Sequence, residues 1–96
     1  MSRPAPRAIS SALAELTAEL APATTLARVQ EIWEAAAGPA IATVSRPVAE
    51  RAGVLVVSCE AAVWAQELEL MGGELIARVN ARLGSDAITR LRCRTG

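Results

Sequence analysis

In residues 54–70 the chain reads VLVVSCEAAVWAQELEL, which is the most informative segment for the fold class. The β-branched residues 54–59 predict a buried strand. Trp64 follows shortly afterwards and begins an apolar repeat with the spacing of a helix. A strand that leads directly into an amphipathic helix indicates a domain in which helices cover a sheet.

The helix that contains Trp64 is predicted to begin at residue 61 and to continue as far as Gly84, which should end it. Gly72 and Gly73 lie at its middle, and each costs about 1 kcal/mol relative to alanine. We therefore expect a kink or a close helix contact there. Arg78 and Arg82 lie near the negative end of the helix dipole. The large apolar side chains share one stripe, which consists of Trp64, Leu68, Met71, Leu75, Val79 and Leu83.

The N-terminal part of the sequence predicts a lead-in followed by helices. Residues 1–8 are expected to be a flexible lead-in, and residues 9–96 a single domain. Pro22 prevents the first helix, 9–20, from continuing. Its apolar stripe consists of Ile9, Leu13, Leu16 and Leu20.

Two more helices are predicted before the sheet begins. Thr24 or Thr25 can cap the second helix, which should end at Gly38. Pro39 suits the first turn of a third, short helix over residues 40–44.

Two further strands complete the predicted fold. Residues 48–52 are a weaker strand, which pairs with residues 54–59 in a hairpin that turns near Ala52-Gly53. Residues 87–94 alternate in polarity and predict a third strand, which can return in parallel through a right-handed crossover. The expected fold class is α+β, a three-stranded sheet with helices packed on one face and preceded by N-terminal helices.

The available side chains disfavour catalysis. The sequence contains no His, Tyr or Phe, and all ten of its basic residues are arginine. The hydroxyl residues lack a neighbouring base in sequence. The solvated side of a helix is the simplest interpretation of Glu67, Glu69 and Glu74. We expect a protein that is not an enzyme and that has no cofactor or metal site.

The charges balance overall but are unevenly distributed. Ten arginines match ten acids, so the whole chain has no field that would steer nucleic acid or membranes. Residues 1–77 carry five arginines against nine acids, whereas residues 78–96 carry five arginines against Asp86 alone. The C-terminal end is therefore basic.

Three of these arginines, Arg90, Arg92 and Arg94, occupy alternate positions of the predicted third strand. They should point to one face about 7 Å apart. Alternation places Ile88 on the same face. The opposite face should carry Thr89, Leu91 and Cys93.

An arginine ladder of this spacing suits a nucleic-acid backbone, and Arg78 and Arg82 are further candidate contacts. The alternative is a solvated sheet face that Glu50 and Glu60 partly neutralise. No aromatic residue lies beside the ladder to stack on bases. Nucleic-acid binding would therefore be weak, sensitive to salt and indifferent to sequence.

Cys59 and Cys93 lack the close spacing of a zinc site or a CxxC motif, which leaves two reduced, buried thiols as the expectation. The sequence does not begin with a secretory segment, and no apolar run approaches the roughly 18 residues of a membrane span. We therefore expect a cytoplasmic protein without membrane contact.

Several short motifs follow one another in a specific order along most of the chain. They are Trp33 with Ala37-Gly38, Arg46-Pro47, GVLVV at 53–57, WAQEL at 64–68, Ile76, Val79-Asn80, Leu83-Gly84 and ITRLRCR at 88–94. Together, over about residues 26–96, they resemble the bacterial DciA family. The resemblance implies a small KH-like domain that binds the DnaB-type replicative DNA helicase and aids its loading or activity. It also implies a flexible extension, which this sequence barely carries beyond Arg94, so we expect a minimal or divergent member.

The resemblance also indicates where a partner would bind. Trp64 matches the family's tryptophan after the second strand, and Trp33 matches the one before the glycine. The candidate helicase contacts are Trp64, Gln66, Glu67, Leu70 and Trp33. For both tryptophans the alternative is a core anchor, because truncating a buried Trp costs about 3–5 kcal/mol.

A second apolar strip follows the outer side of the long helix through Val63, Leu70, Gly73 and Ala77. Either the first helix covers this strip, or it binds a partner or a second copy of the chain. Three hypotheses therefore compete: a helicase accessory protein, a sequence-independent nucleic-acid binder, and an oligomerisation module. The sequence has neither the GxxG loop of an RNA-binding KH domain nor a Walker loop for ATP hydrolysis.

Overall fold

The computed structural model describes residues 24–96, so the predicted lead-in 1–8 and first helix 9–20 lie outside the described residues. Within residues 24–96 the α+β fold with a three-stranded sheet and helices packed against it is confirmed. The elements in chain order are α1 (Thr25–Ala37), α2 (Pro39–Val44), β1 (Ser45–Arg51), β2 (Val54–Cys59), α3 (Ala62–Leu70), α4 (Gly72–Leu83) and β3 (Arg90–Thr95).

The sheet has β2 at its centre. β1 pairs with β2 in antiparallel register, and β3 pairs with the other edge of β2 in parallel register. The predicted hairpin and the predicted parallel return of the third strand are both confirmed. A parallel return needs a long connection, and α3 and α4 supply it.

A tight turn joins β1 to β2 at Ala52 and Gly53, where φ is 52° and 87°. Two successive positive φ values are typical of the type I′ turn, whose twist matches that of the flanking strands. The Gly53 carbonyl accepts hydrogen bonds from the backbone N–H groups of Thr89 at 2.8 Å and Arg90 at 3.2 Å. The turn therefore fixes the point at which β3 begins.

The first strand is longer than predicted. We expected residues 48–52, but β1 begins at Ser45 and includes Pro47. A proline is tolerated because β1 is an edge strand, where one row of N–H groups has no ladder partner. The register shifts between Pro47 and Ala49, so Val48 forms a bulge. From α1, the Gln30 side-chain amide donates a 3.0 Å hydrogen bond to the Pro47 carbonyl.

The predicted long helix is two helices. The chain breaks at Met71, where φ is −91° and ψ is 9°, and α4 begins at Gly72. The expected kink at the glycine pair is confirmed, whereas the expected helical continuity is wrong. Gly72 lies close to the sheet, since a Cβ placed on it would be 4.0 Å from the Leu91 side chain.

The core lies between the helices and one face of the sheet. From β2 it receives Leu55, Val57 and Cys59, and from α1 it receives Val29 and Trp33. The predicted apolar stripe supplies the helical side, with Leu68, Leu75, Val79 and Leu83 buried, while Trp64 and Met71 pack against its margin.

The loop before β3 is held by Asn80. Its side-chain amide donates to the Ile88 carbonyl at 2.8 Å and its oxygen accepts from the Ile88 N–H at 3.0 Å. This pair of bonds turns the Ile88 side chain into the core, where it is 1% exposed. The predicted strand over 87–94 is therefore shortened to begin at Arg90, and the expectation that Ile88 shares the arginine face is wrong.

Both cysteines are free, with Cys59 buried and Cys93 half-buried on the core side of the sheet. Burial raises the pKa of Cys59, and burial together with the neighbouring Cys59 raises the pKa of Cys93 to about 12. Both thiols are therefore protonated and weakly nucleophilic at neutral pH.

We predict that Gly53→Ala lowers the free energy of unfolding by about 2 kcal/mol, because alanine disfavours positive φ. In addition, the new methyl group would meet Thr89 Oγ1 at 2.8 Å and the Ala87 carbonyl oxygen at 3.2 Å. Gly84→Ala is the matched control, since Gly84 also has positive φ but faces open space. Urea denaturation measures both losses, and equal losses would show that the close approach contributes nothing.

We predict that stability falls as pH rises from about 9 to about 11. With both thiol pKa values raised by folding, the unfolded chain releases these protons first, so alkaline pH favours unfolding. The sequence has no Lys, Tyr or His side chain that would titrate in the same range. Urea midpoints across this range should decline in the wild type and decline less in Cys93→Ala. An equal decline in both proteins would rule out the thiols as the cause.

Candidate partner and nucleic-acid surfaces

One face of α3 presents apolar side chains to solvent. Val63 is 60% exposed and Leu70 is 83% exposed, and they are the large exposed apolar residues of residues 24–96. Gln66 and Glu67 lie between them and are also exposed. The four positions have the i, i+3, i+4, i+7 spacing of a single helix face, so the structure brings three of the predicted partner residues together. We call this set, Val63, Gln66, Glu67 and Leu70, the α3 face.

The two tryptophans differ in their access to this surface. Trp64 is half-buried and packs against the core from the start of α3. Trp33 is only 4% exposed, and its indole N–H donates to the Ser45 hydroxyl oxygen at 3.2 Å. Trp33 is therefore a core residue that links α1 to β1, in agreement with the core role that the sequence also suggested. It is not part of the α3 face.

The predicted apolar strip does not continue evenly beyond Leu70. Gly73 and Ala77 are exposed, but they belong to α4, beyond the break at Met71. The helix that was expected to cover the strip lies outside the described residues. Within residues 24–96 the apolar part of the strip is concentrated on α3.

A polar contact holds α3 beside the edge of the sheet. The Glu69 carboxylate accepts a 3.0 Å hydrogen bond from the backbone N–H of Cys93 in β3. This N–H lies on the outer edge of β3, where it has no strand partner. The contact gives this N–H a hydrogen-bond acceptor and holds α3 beside the β3 edge of the sheet.

The predicted arginine ladder is present on β3. Arg90, Arg92 and Arg94 are exposed, whereas Leu91 and Cys93 between them pack against the core. Their partners in register on β2 are Val54, Val56 and Ser58. These belong to the face of the sheet opposite to the buried Leu55 and Val57. We call this opposite side the open face.

Two further arginines share the open face, and the sequence analysis did not identify them. Arg46 and Arg51 of β1 are exposed and lie in register with Ser58 and Val54. Five arginines therefore lie on one side of the sheet, in a row on each edge. Alternation along β1 would not have found both of them, because the bulge at Val48 changes the face that each residue occupies.

The three strands place no Asp or Glu side chain on the open face. Glu50 is in register with the buried Leu55, and its carboxylate accepts a 2.9 Å hydrogen bond from the Gly53 N–H. In the described part of the chain neither Glu50 nor Glu60 forms an ion pair with the ladder, and Glu60, which follows β2, lines a pocket together with Arg46. Within residues 24–96, the ion pair present joins Arg78 to Glu74 on α4.

Arg78 and Arg82 are not part of the open face. Both are exposed on α4, in the helical layer that packs on the other side of the sheet. They line a shallow groove with Ala35 and Ala36 from the end of α1 and with Gly38, which follows it. The structure therefore separates these two predicted nucleic-acid contacts from the ladder.

Two kinds of site are not found in the described part of the chain. Residues 24–96 contain no cluster of three or more His, Cys, Asp or Glu side chains that could hold a metal ion. None of the described helices has the length and apolar character needed to cross a bilayer.

Comparison with known proteins finds one matching family model and several curated relatives of one kind. The family model described as Dna[CI] antecedent, DciA matches residues 8–93. A UPF0232 protein of Mycobacterium tuberculosis is 38% identical over 60 residues, which cover 62% of this chain and 32% of that protein. A UPF0232 protein of Mycolicibacterium smegmatis is 35% identical over 60 residues, which cover 62% of this chain and 31% of that protein.

The matched segment thus spans about a third of the length of these curated relatives. The family model, by contrast, extends over nearly all of this chain, from before the described residues to the middle of β3. On this match the chain belongs to the DciA family.

Proposed function

We propose that the chain is a non-catalytic accessory protein of DNA replication, which acts in the cytoplasm by binding the DnaB-type replicative helicase and aiding its loading or activity. Membership of the DciA family supports the association with replication. The observation that carries the docking site is the α3 face, where two large apolar side chains, Val63 and Leu70, are exposed about two turns apart on one side of a helix.

The energetics favour a protein partner at this face. Burying apolar surface is worth about 25 cal/mol per Å², so covering a leucine and a valine contributes about 3–5 kcal/mol. Gln66 and Glu67 between them would supply polar contacts that set the register of the partner. Trp64 supports the start of α3 from the core side, so it fixes the position of the face.

We predict that Leu70→Glu weakens the complex with the helicase of the same organism at least tenfold, which corresponds to about 1.4 kcal/mol. Co-purification and titration of the full chain with the purified helicase measure this effect. The matched control is Ala81→Glu, which adds the same charge at an exposed position of α4.

Both variants change exposed residues, so both should keep the wild-type circular dichroism spectrum and urea midpoint. Equal binding by wild type and Leu70→Glu would exclude the α3 face as the contact. No complex with the folded wild type would exclude the helicase proposal itself. If the wild type instead sediments as a dimer that Leu70→Glu dissociates, the face serves self-association.

A second function is favoured by the open face. We propose that β3 contacts nucleic acid through Arg90, Arg92 and Arg94, which are exposed and have no acid in register. Guanidinium groups that meet phosphates release counterions, so the binding constant should fall with salt. The sequence has two tryptophans as its only aromatic residues, and neither lies on this face, so base recognition is not expected.

We predict that the triple variant Arg90→Gln, Arg92→Gln, Arg94→Gln binds mixed-sequence DNA at least tenfold more weakly than the wild type. The dependence of log K on log salt should fall by about 0.9 for each phosphate contact that is lost. Arg78→Gln with Arg82→Gln removes charge from the helical layer and should bind as the wild type does. Fluorescence anisotropy at several salt concentrations measures both quantities, and equal losses in the two variants would mean that only net charge matters.

A further inference from the structure

The open face carries arginine on both of its edges, with Arg46 and Arg51 on β1 and Arg90, Arg92 and Arg94 on β3. We propose that this face straddles a groove of duplex DNA, with each row of guanidinium groups contacting one of the two phosphate strands. The inference rests on the proposed nucleic-acid contact of β3. It adds Arg46 and Arg51 as binding residues and assigns the ligand as a duplex.

The two rows face each other across β2. Arg46 and Arg94 are both in register with Ser58, and Arg51 and Arg90 are both in register with Val54. Neighbouring strands lie about 4.8 Å apart, so the rows are separated by about 10 Å. Along the strands the end pairs are about 13 Å apart. Four arginines therefore mark the corners of a rectangle, with Arg92 within one of its long sides.

This rectangle matches a surface that has two lines of phosphates. The minor groove of B-DNA is about 6 Å wide and the major groove about 12 Å, so the row separation falls between the two. The long arginine side chains can splay or converge to reach the phosphates on either side of a groove. A single strand has one line of phosphates and can engage only one row at a time.

The middle of the face also favours a duplex. Val54 and Val56 are half-buried and Ser58 is buried, so the β2 side chains at the centre present neither charge nor an aromatic ring. Stacking on aromatic side chains is worth about 1–3 kcal/mol per base to a bound single strand, and this face lacks it. An acidic protein surface would also be attracted, but the regular double row and the family's association with replication favour DNA.

The test uses the full chain and a labelled duplex of about two helical turns, together with each of its separated strands. The wild type should bind the duplex at least tenfold more tightly than either strand. Arg46→Gln with Arg51→Gln should weaken duplex binding at least tenfold and lower its salt slope by about 1.8, while single-strand binding changes less than threefold. Arg46→Lys with Arg51→Lys keeps both charges and should retain most of the duplex affinity.

The control is Arg78→Gln with Arg82→Gln, which removes two charges elsewhere and should leave both affinities unchanged. Three results would overturn the inference: duplex binding that is unaffected by the β1 variant, equal losses for duplex and single strands, or single strands that bind as tightly as the duplex. In each case the β3 contact still stands. The absence of any binding to DNA by the folded wild type would overturn the β3 contact as well, and it would leave the helicase proposal untouched.

Discussion

The packing of one face of β2 against the helices determines which residues of the sheet are buried and which are exposed. Leu55 and Val57 are almost fully buried, and they pack with Leu68, Leu75 and Val79 from the helical layer. Because side chains alternate along a strand, burial of this face turns the neighbouring residues to the opposite side. In the part of the chain that the structure describes, that opposite side has no helical layer. Arginines can therefore remain solvated there without a desolvation penalty.

Polar contacts act together with the burial of Ile88 and the packing of Leu91 to set the position of the arginine strand. The Asn80 side chain forms hydrogen bonds with both the N–H and the carbonyl of Ile88. The Gly53 carbonyl accepts hydrogen bonds from the N–H groups of Thr89 and Arg90, where β3 begins. Glu69 satisfies the Cys93 N–H on the outer edge. A buried backbone group without a partner costs free energy, so the part-buried contacts to Ile88 favour one geometry of this loop. Together these contacts fix the position of the β3 arginines along the sheet relative to the arginines of β1.

The two candidate surfaces differ in chemistry and lie on different layers. The α3 face combines exposed Val63 and Leu70 with Glu67, and α3 itself contains no arginine. The open face carries five arginines and no acid in register. The break at Met71 contributes to this separation, because it ends α3 beside β3 and lets α4 pack independently against α1. A protein partner and a polyanion would therefore not compete for the same residues.

Local periodicity in the sequence determined β2, the hairpin turn, the short helix α2 and the apolar stripe, because each depends on side chains that are near one another along the chain. It also determined that Arg90, Arg92 and Arg94 share a face. That Arg46 and Arg51 share this face follows from strand pairing in the folded chain. These two residues are an odd number of positions apart, so strict alternation would place them on opposite faces. The bulge at Val48 corrects this, and it depends on pairing with β2 and on the Gln30 contact from α1, which local sequence does not encode.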